Sequence, residues 1–334
     1  MNPRRRAFIV YSGGRADRPT TAYPLTTHLR ECVEKLGYNV SEIYRDPIKQ
    51  VKVITLLYEE TGLETLLVPL DLVVEAEALG CSIKYVEGHP AVDKPLFRDL
   101  KEFKYEEEIF EKNSFQVKYE AIKILREKYG HELPIINRVT GPVTMAGNVF
   151  NPDKVIIWSR TRRRELRDVL ESILEINIED SKRALRSGAD IIAVGDPTVS
   201  TMPPDFFHDV LIDIYKEFNR RVGSLTLLHI CGNTNPILKY IPETGFNAFS
   251  FDSIVSIPYA RSIIGNRVVL IGNINNVNVL LEGSEDDVIR ETIKAMAQGV
   301  DVPAPSCDIA FNTPIRNIRA MVRAIEGLVA GSNI

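Results

Sequence analysis

Cysteine is scarce. Four in 334 residues are too few for a disulfide scaffold and point to a reducing, cytoplasmic compartment, where grouped cysteines serve metals or catalysis. No apolar run approaches the ~18 residues of a membrane span. The stretch 7–11, after Arg4-Arg5-Arg6, is too brief for a secretory signal, and no small-residue cleavage site follows it. An excess of one charge is also missing: 41 basic against 45 acidic residues leave −4. That excludes a nucleic-acid binder that works by bulk positive charge, and the lone tryptophan and the tyrosines form no base-stacking pattern. Glycine and proline stand near background, so the chain is neither low-complexity nor collagenous. A G-x-G-x-x-G after an early strand and a P-loop are both absent. Neither a membrane nor a nucleic-acid partner is expected.

What is present is a repeat of short apolar run, polar turn and amphipathic helix. Eight runs can be counted, at 20–25, 65–72, 134–139, 190–194, 224–230, 246–251, 267–274 and 301–306. Bare stretches such as Ile191-Ile192-Ala193-Val194 suit strands covered on both faces. Between them Leu166, Val169, Leu170 and Ile173, and again Ile318, Met321, Val322 and Ile325, recur at helical spacing. Ser284 with Asp287 makes a capping box, and Gly188 falls where a helix should stop. Alternating strands and helices predict a parallel sheet, and eight of them a closed (β/α)8 TIM barrel; a doubly wound open sheet is the alternative. No Pro/Gly/Ser linker divides the chain. Residues 1–334 are therefore read as one barrel domain, with an N-terminal helical extension at about 1–19 and a helical insertion at about 73–133 between the second and third strands. The insertion, rich in Glu, Lys and Tyr, reads as surface helices with a solvated face; a cap beside the barrel mouth is the alternative.

The fifth run ends His229-Ile230-Cys231-Gly232. Residues two apart on a strand share a face, so His229 and Cys231 project together at a strand's carboxyl end, where barrel enzymes carry their chemistry. Cys307 closes the eighth run. One imidazole and two thiolates suit zinc, and three protein ligands leave a fourth position open, the catalytic pattern. The competing reading is two buried cysteines and a core histidine. Strands five and eight lie three steps apart around a ring, so Cys307 must reach inward on its loop, which Pro303 and Pro305 would stiffen. Other polar residues sit at strand ends. Asp196 and Asn273 end the fourth and seventh strands and read as site-lining or catalytic. Arg138, near the end of the third, offers a guanidinium fork for an acceptor's acidic group or makes a structural ion pair. Glu75 and Glu77 stand near the mouth as substrate-binding candidates, but acids at i, i+2 cannot share one helix face.

The motif His229-Ile230-Cys231-Gly232 with Cys307 resembles the H-x-C…C zinc motif of methylcobamide:thiol methyltransferases, whose best-known acceptor is coenzyme M. This group lies within the uroporphyrinogen decarboxylase superfamily of (β/α)8 barrels. The likeness runs along nearly the whole chain: Asp17-Arg18-Pro19, the stretch from Val74 to Cys81, Gly141-Pro142-Val143-Thr144, Gly272-Asn273 and Thr313-Pro314. Departures fall around the last cysteine, where Ser306 replaces a glycine and Asp308-Ile309-Ala310-Phe311-Asn312 a proline-rich stretch. The resemblance implies Zn2+ on His229, Cys231 and Cys307, and a thiol that loses its proton there and takes the methyl group of a methyl-cobalt(III) corrinoid. No D-x-H-x-x-G segment is visible, so it also implies a separate corrinoid protein as partner. Asp252, after the sixth strand, is similar to a carboxylate that cobalamin-independent methionine synthases use, and would be a labile fourth ligand; otherwise it is an ordinary mouth aspartate. Two other functions stay open: a metal-free decarboxylase on the same fold, for which the R-Q-A-G-R-Y-type segment is lacking in 20–30, and a barrel with a structural zinc and a binding role.

Overall fold

The computed structural model describes residues 1–25 and 28–330; Thr26 and Thr27, within the stretch 20–30 compared above, lie outside it. Eight strands form. They are β1 (Leu66–Val68), β2 (Ser82–Val86), β3 (His89–Lys94), β4 (Ile135–Thr140), β5 (Ile191–Gly195), β6 (Leu225–Ile230), β7 (Ala248–Phe251) and β8 (Val269–Ile271). Six make one parallel sheet in the order β1-β4-β5-β6-β7-β8, so runs two to seven follow one another around the barrel. The eighth run joins through isolated bridges, Ile271 with Val302 and Ile274 with Pro305. Helices pack outside the strands, and this is the (β/α)8 architecture anticipated from the repeat.

Run 20–25 is not a strand. It lies along β1 through threonines instead of a ladder: the Tyr23 amide donates to Thr65 Oγ1 at 3.0 Å and the Glu64 amide to Thr21 Oγ1 at 3.1 Å. Side-chain hydroxyls here satisfy backbone groups that a ladder would otherwise pair, and Pro24 has no N–H to give one.

The anticipated helices form for the anticipated reasons. Leu166, Val169, Leu170 and Ile173 are all buried on helix Arg163–Ser187. Each fully buried aliphatic of this size contributes about 1.5–3 kcal/mol. Gly188 ends that helix in the left-handed region at φ 117°, where a side chain would be strained. The capping box closes reciprocally, with Ser284 and Asp287 exchanging amide-to-side-chain bonds of 3.0 and 3.2 Å.

The segment 73–133 differs from the helical reading. Helices Val74–Leu79 and Asn113–Tyr129 are present, but between them β2 and β3 form an antiparallel hairpin. The alternation of partly buried and exposed residues along β2 is a period-2 signal that the abundance of Glu and Lys hides. The charged stretch 101–112 is two short 3-10 turns anchored by buried Leu100, Ile109 and Phe110. At the hairpin tip Gly88 holds φ +83°, and a Cβ there would lie 2.4 Å from the Phe311 ring. The hairpin thus meets the loop that follows Cys307, and the two help to wall a cavity of about 630 Å³ at the barrel mouth.

Candidate metal centre

The ladder sets the site. In register Gly195 faces His229, and His229 faces Ser250, so two adjacent strand ends carry polar groups at one level of the mouth beside a glycine. His229, Cys231 and Cys307 bring one ligand atom each within 4.8 Å of one another. Bond lengths of about 2.0–2.3 Å around a tetrahedral ion put ligand atoms roughly 3.3–3.8 Å apart. Small side-chain rotations close the difference. The inward reach required of Cys307 is therefore met, helped by the Ser306 amide, which donates to the Ile274 carbonyl at 2.7 Å.

The donor chemistry fits a soft divalent ion. His229 is buried, and its Nδ1 lies 3.0 Å from Ser250 Oγ, which leaves Nε2 as the nitrogen available to the sulfurs. Such a partner on the far nitrogen fixes tautomer and ring orientation in metal sites. The two thiols share a hydrogen bond. As acceptor, Cys231 is lowered below the usual thiol range by Cys307. Cys307, as its donor and then by burial, is pushed up. A divalent cation held by the two sulfurs and the imidazole would replace that shared proton.

The remaining candidates surround this cluster without joining it. Asp252 is not among the converging ligands. Its Oδ2 accepts the Gly232 amide at 3.0 Å, and its Oδ1 the Ile254 amide at 3.2 Å, so it clamps the turn that follows Cys231. Asn273 Nδ2 donates to the carbonyls of Asp252 and Val255 at 2.9 and 2.7 Å and pins the loop after β7. Asp196 is fully buried and accepts the Thr144 and Val143 amides at 2.7 and 3.2 Å and the Tyr215 hydroxyl at 2.8 Å. It sits at the N-terminus of helix Pro142–Phe150, and burial raises it to about 6. Glu75 is buried, taking the Thr140 amide at 2.9 Å and hydroxyl at 2.6 Å. Glu77 stands apart, half-exposed and raised by burial. As their spacing requires, the two acids serve different surroundings. Arg138 is buried and donates Nη1 to Asp308 Oδ1 at 2.8 Å.

Two further groups escaped the sequence reading, and a third, Asp308, entered it only as a departure beside the last cysteine. Ser250 lies two residues before Asp252 on the same strand, and only register reveals its partner. Asp308 follows Cys307 directly and lines the cavity together with Asp71, which burial raises to about 6. His28 and His89, which belong to no motif in the sequence, bring their rings 4.6 Å apart under the hairpin tip.

Comparison with known proteins follows the same lines. The family model described as uroporphyrinogen decarboxylase (URO-D) matches residues 6–328. "Methylcobamide:CoM methyltransferase MtaA" of Methanosarcina barkeri is 33% identical over 325 residues, covering 96% of each chain. "Methylcobamide:CoM methyltransferase MtbA" of Methanosarcina acetivorans is 30% identical, with 97% of each covered. Among solved structures, a methyltransferase from Methanosarcina mazei superposes with a TM-score of 0.93 at 32% identity, over 98% of this chain and 99% of that one. The chain belongs to the uroporphyrinogen decarboxylase family. Within that family it stands with the methylcobamide:coenzyme M methyltransferases.

Proposed function

We propose that the chain transfers a methyl group from a methyl-cobalt(III) corrinoid, carried on a separate corrinoid protein in the cytoplasm, to a small thiol, using zinc on His229, Cys231 and Cys307. The observation that carries this reading is the convergence of those three side chains at the mouth, in a chain a third identical to proteins named for that activity. Coenzyme M, the acceptor in the relatives' names, is the first thiol to test. No helix among the described residues is long and apolar enough to cross a membrane, in keeping with a soluble donor and acceptor.

The balance of the reaction is simple. The acceptor loses its S–H proton to solvent, its sulfur forms the new bond to the methyl carbon, and the electron pair of the broken cobalt–carbon bond stays on cobalt as cobalt(I). A free thiol, with a pKa of roughly 8.5, is only a few per cent thiolate at neutral pH. Zinc held here supplies the Lewis acidity that favours the thiolate. The protein does the rest by positioning. Ser250 orients His229, Asp252 fixes the turn after Cys231 through Gly232, and the Ser306 amide tethers the strand end before Cys307. The adjoining cavity has mainly aliphatic walls such as Leu70, Leu72, Val92 and Ile309.

The test combines metal analysis with methylcobalamin and thiols. One zinc per chain and a thiol-dependent loss of the methyl-cobalt absorbance are expected, with both lost in Cys307→Ala while the circular dichroism stays unchanged. A protein that takes up no zinc at micromolar concentration removes the proposal.

A further inference from the structure

The mouth cavity reaches the Cys307 loop at Asp308, which makes it the space open to the tail of an acceptor, and its charge is one-sided. Asp71, Asp93 and Asp308 line it, and no lysine or arginine does so among the described residues. His89, the remaining titratable group on its wall, is lowered by burial and is neutral near pH 7. Asp93 is answered on the outer edge of the hairpin by Lys84 at 3.5 Å. The buried cation on this side is Arg138, with a side chain only 2% exposed, and Asp308 holds its Nη1 at 2.8 Å. Asp308 is more open, 36% exposed, and follows Cys307 in the chain.

We infer that Asp308 is a specificity-determining residue of the acceptor site. Its carboxylate engages the guanidinium that an anionic tail would otherwise use, and so turns the cavity toward thiols with uncharged or cationic tails. This rests on the thiol-acceptor reading above. Carboxylates and sulfonates compete for the same N–H groups of a guanidinium. Asp308 is tethered, so its effective concentration at Arg138 exceeds that of a free acceptor. A sulfonate must displace it and then lie beside Asp71 and the displaced carboxylate, an arrangement of like charges that selects against it. A hydroxyl or ammonium tail meets no such conflict.

The experiment uses the zinc-loaded full chain, methylcobalamin and three thiols that differ only in the tail: mercaptoethanesulfonate, mercaptoethanol and cysteamine. Wild type is expected to use the last two at least as well as the sulfonate, measured by kcat/KM. In Asp308→Asn the sulfonate-to-mercaptoethanol ratio should rise about tenfold or more, the scale of one charge-assisted hydrogen bond. Differences in thiol reactivity cancel in that comparison. Adding Arg138→Gln should abolish the gain. Calorimetric titration with propanesulfonate, which has no thiol, should show binding gained in Asp308→Asn and lost again in the double variant. Asp308→Ala repeats the test if circular dichroism finds the asparagine variant misfolded. A ratio that stays within about twofold of wild type, below the weight of any charged hydrogen bond, overturns the inference, as does a gain that survives Arg138→Gln. If wild type methylates no thiol at all, the thiol reading itself fails, and the propanesulfonate titration still decides the pairing of Arg138 with Asp308.

Discussion

Ser250 shows what single residues do at this mouth. It carries no charge and touches no sulfur, yet its hydroxyl 3.0 Å from His229 Nδ1 selects the nitrogen that faces the cysteines. Partners of this kind contribute about 10–100-fold to metal affinity. Ser250→Ala should therefore weaken zinc binding at least about tenfold, measured by competition with a chelating dye, with secondary structure unchanged. Affinity equal to wild type would mean that the histidine is oriented by packing alone. The converging His229, Cys231 and Cys307 were legible beforehand because H-x-C at a strand end and a cysteine at another are patterns of type and spacing. Ser250 was not, because its role depends on register between β6 and β7, which one strand's sequence does not encode. Arg138 was legible as a fork or an ion pair, and the choice between them needed Asp308, 170 residues away.

Among elements, the β2–β3 hairpin is the one the sequence hid. Its strands are short and polar, and its tip is held from outside: His28 Nε2 lies 2.8 Å from the Gly88 carbonyl and 3.1 Å from the Tyr44 hydroxyl. His28 Nδ1 is buried without a hydrogen-bond partner among the described residues. Burial, then neighbouring His89, lowers His28 to about 3, against about 6.5 in an unfolded chain. Between those values the unfolded state binds a proton that the folded state refuses. Stability therefore falls as pH falls, by about 1.4 kcal/mol per pH unit once well below 6.5. Wild type should lose about 2 kcal/mol more than His28→Gln between pH 7 and 5, read from urea midpoints. Asp71, Asp180 and Asp196, each raised to about 6 by burial, act in the opposite direction. They are common to both proteins and drop out of the comparison. Equal acid sensitivity in the two would show that the histidine gains a proton without opening the hairpin. The helices were far more legible than this hairpin, because stripes such as Leu166 to Ile173 repeat over several turns, whereas β2 has five residues.

At the scale of the whole molecule, the fold and the metal centre are separable. The apolar runs predicted the parallel sheet because strands buried on both faces leave no room for polar alternation. Run 20–25 failed that prediction because its threonines satisfy backbone groups directly. The six paired strands and their helices bury a continuous core that includes neither Cys231 nor Cys307. The three candidate ligands sit at or just after strand ends, where they close no core layer. A fold stapled by zinc is lost when the zinc is removed; here removal should cost only the linkage free energy of a bound ligand, about 4 kcal/mol at a free concentration 1,000 times Kd. Chelated protein should keep a single cooperative thermal transition at a lower Tm and lose thiol-dependent demethylation of methylcobalamin, and added zinc should restore both values. A chelated protein without a cooperative transition would assign the metal a structural role and leave no case for an open coordination position. Full activity after verified zinc removal would instead favour metal-free chemistry on the same barrel.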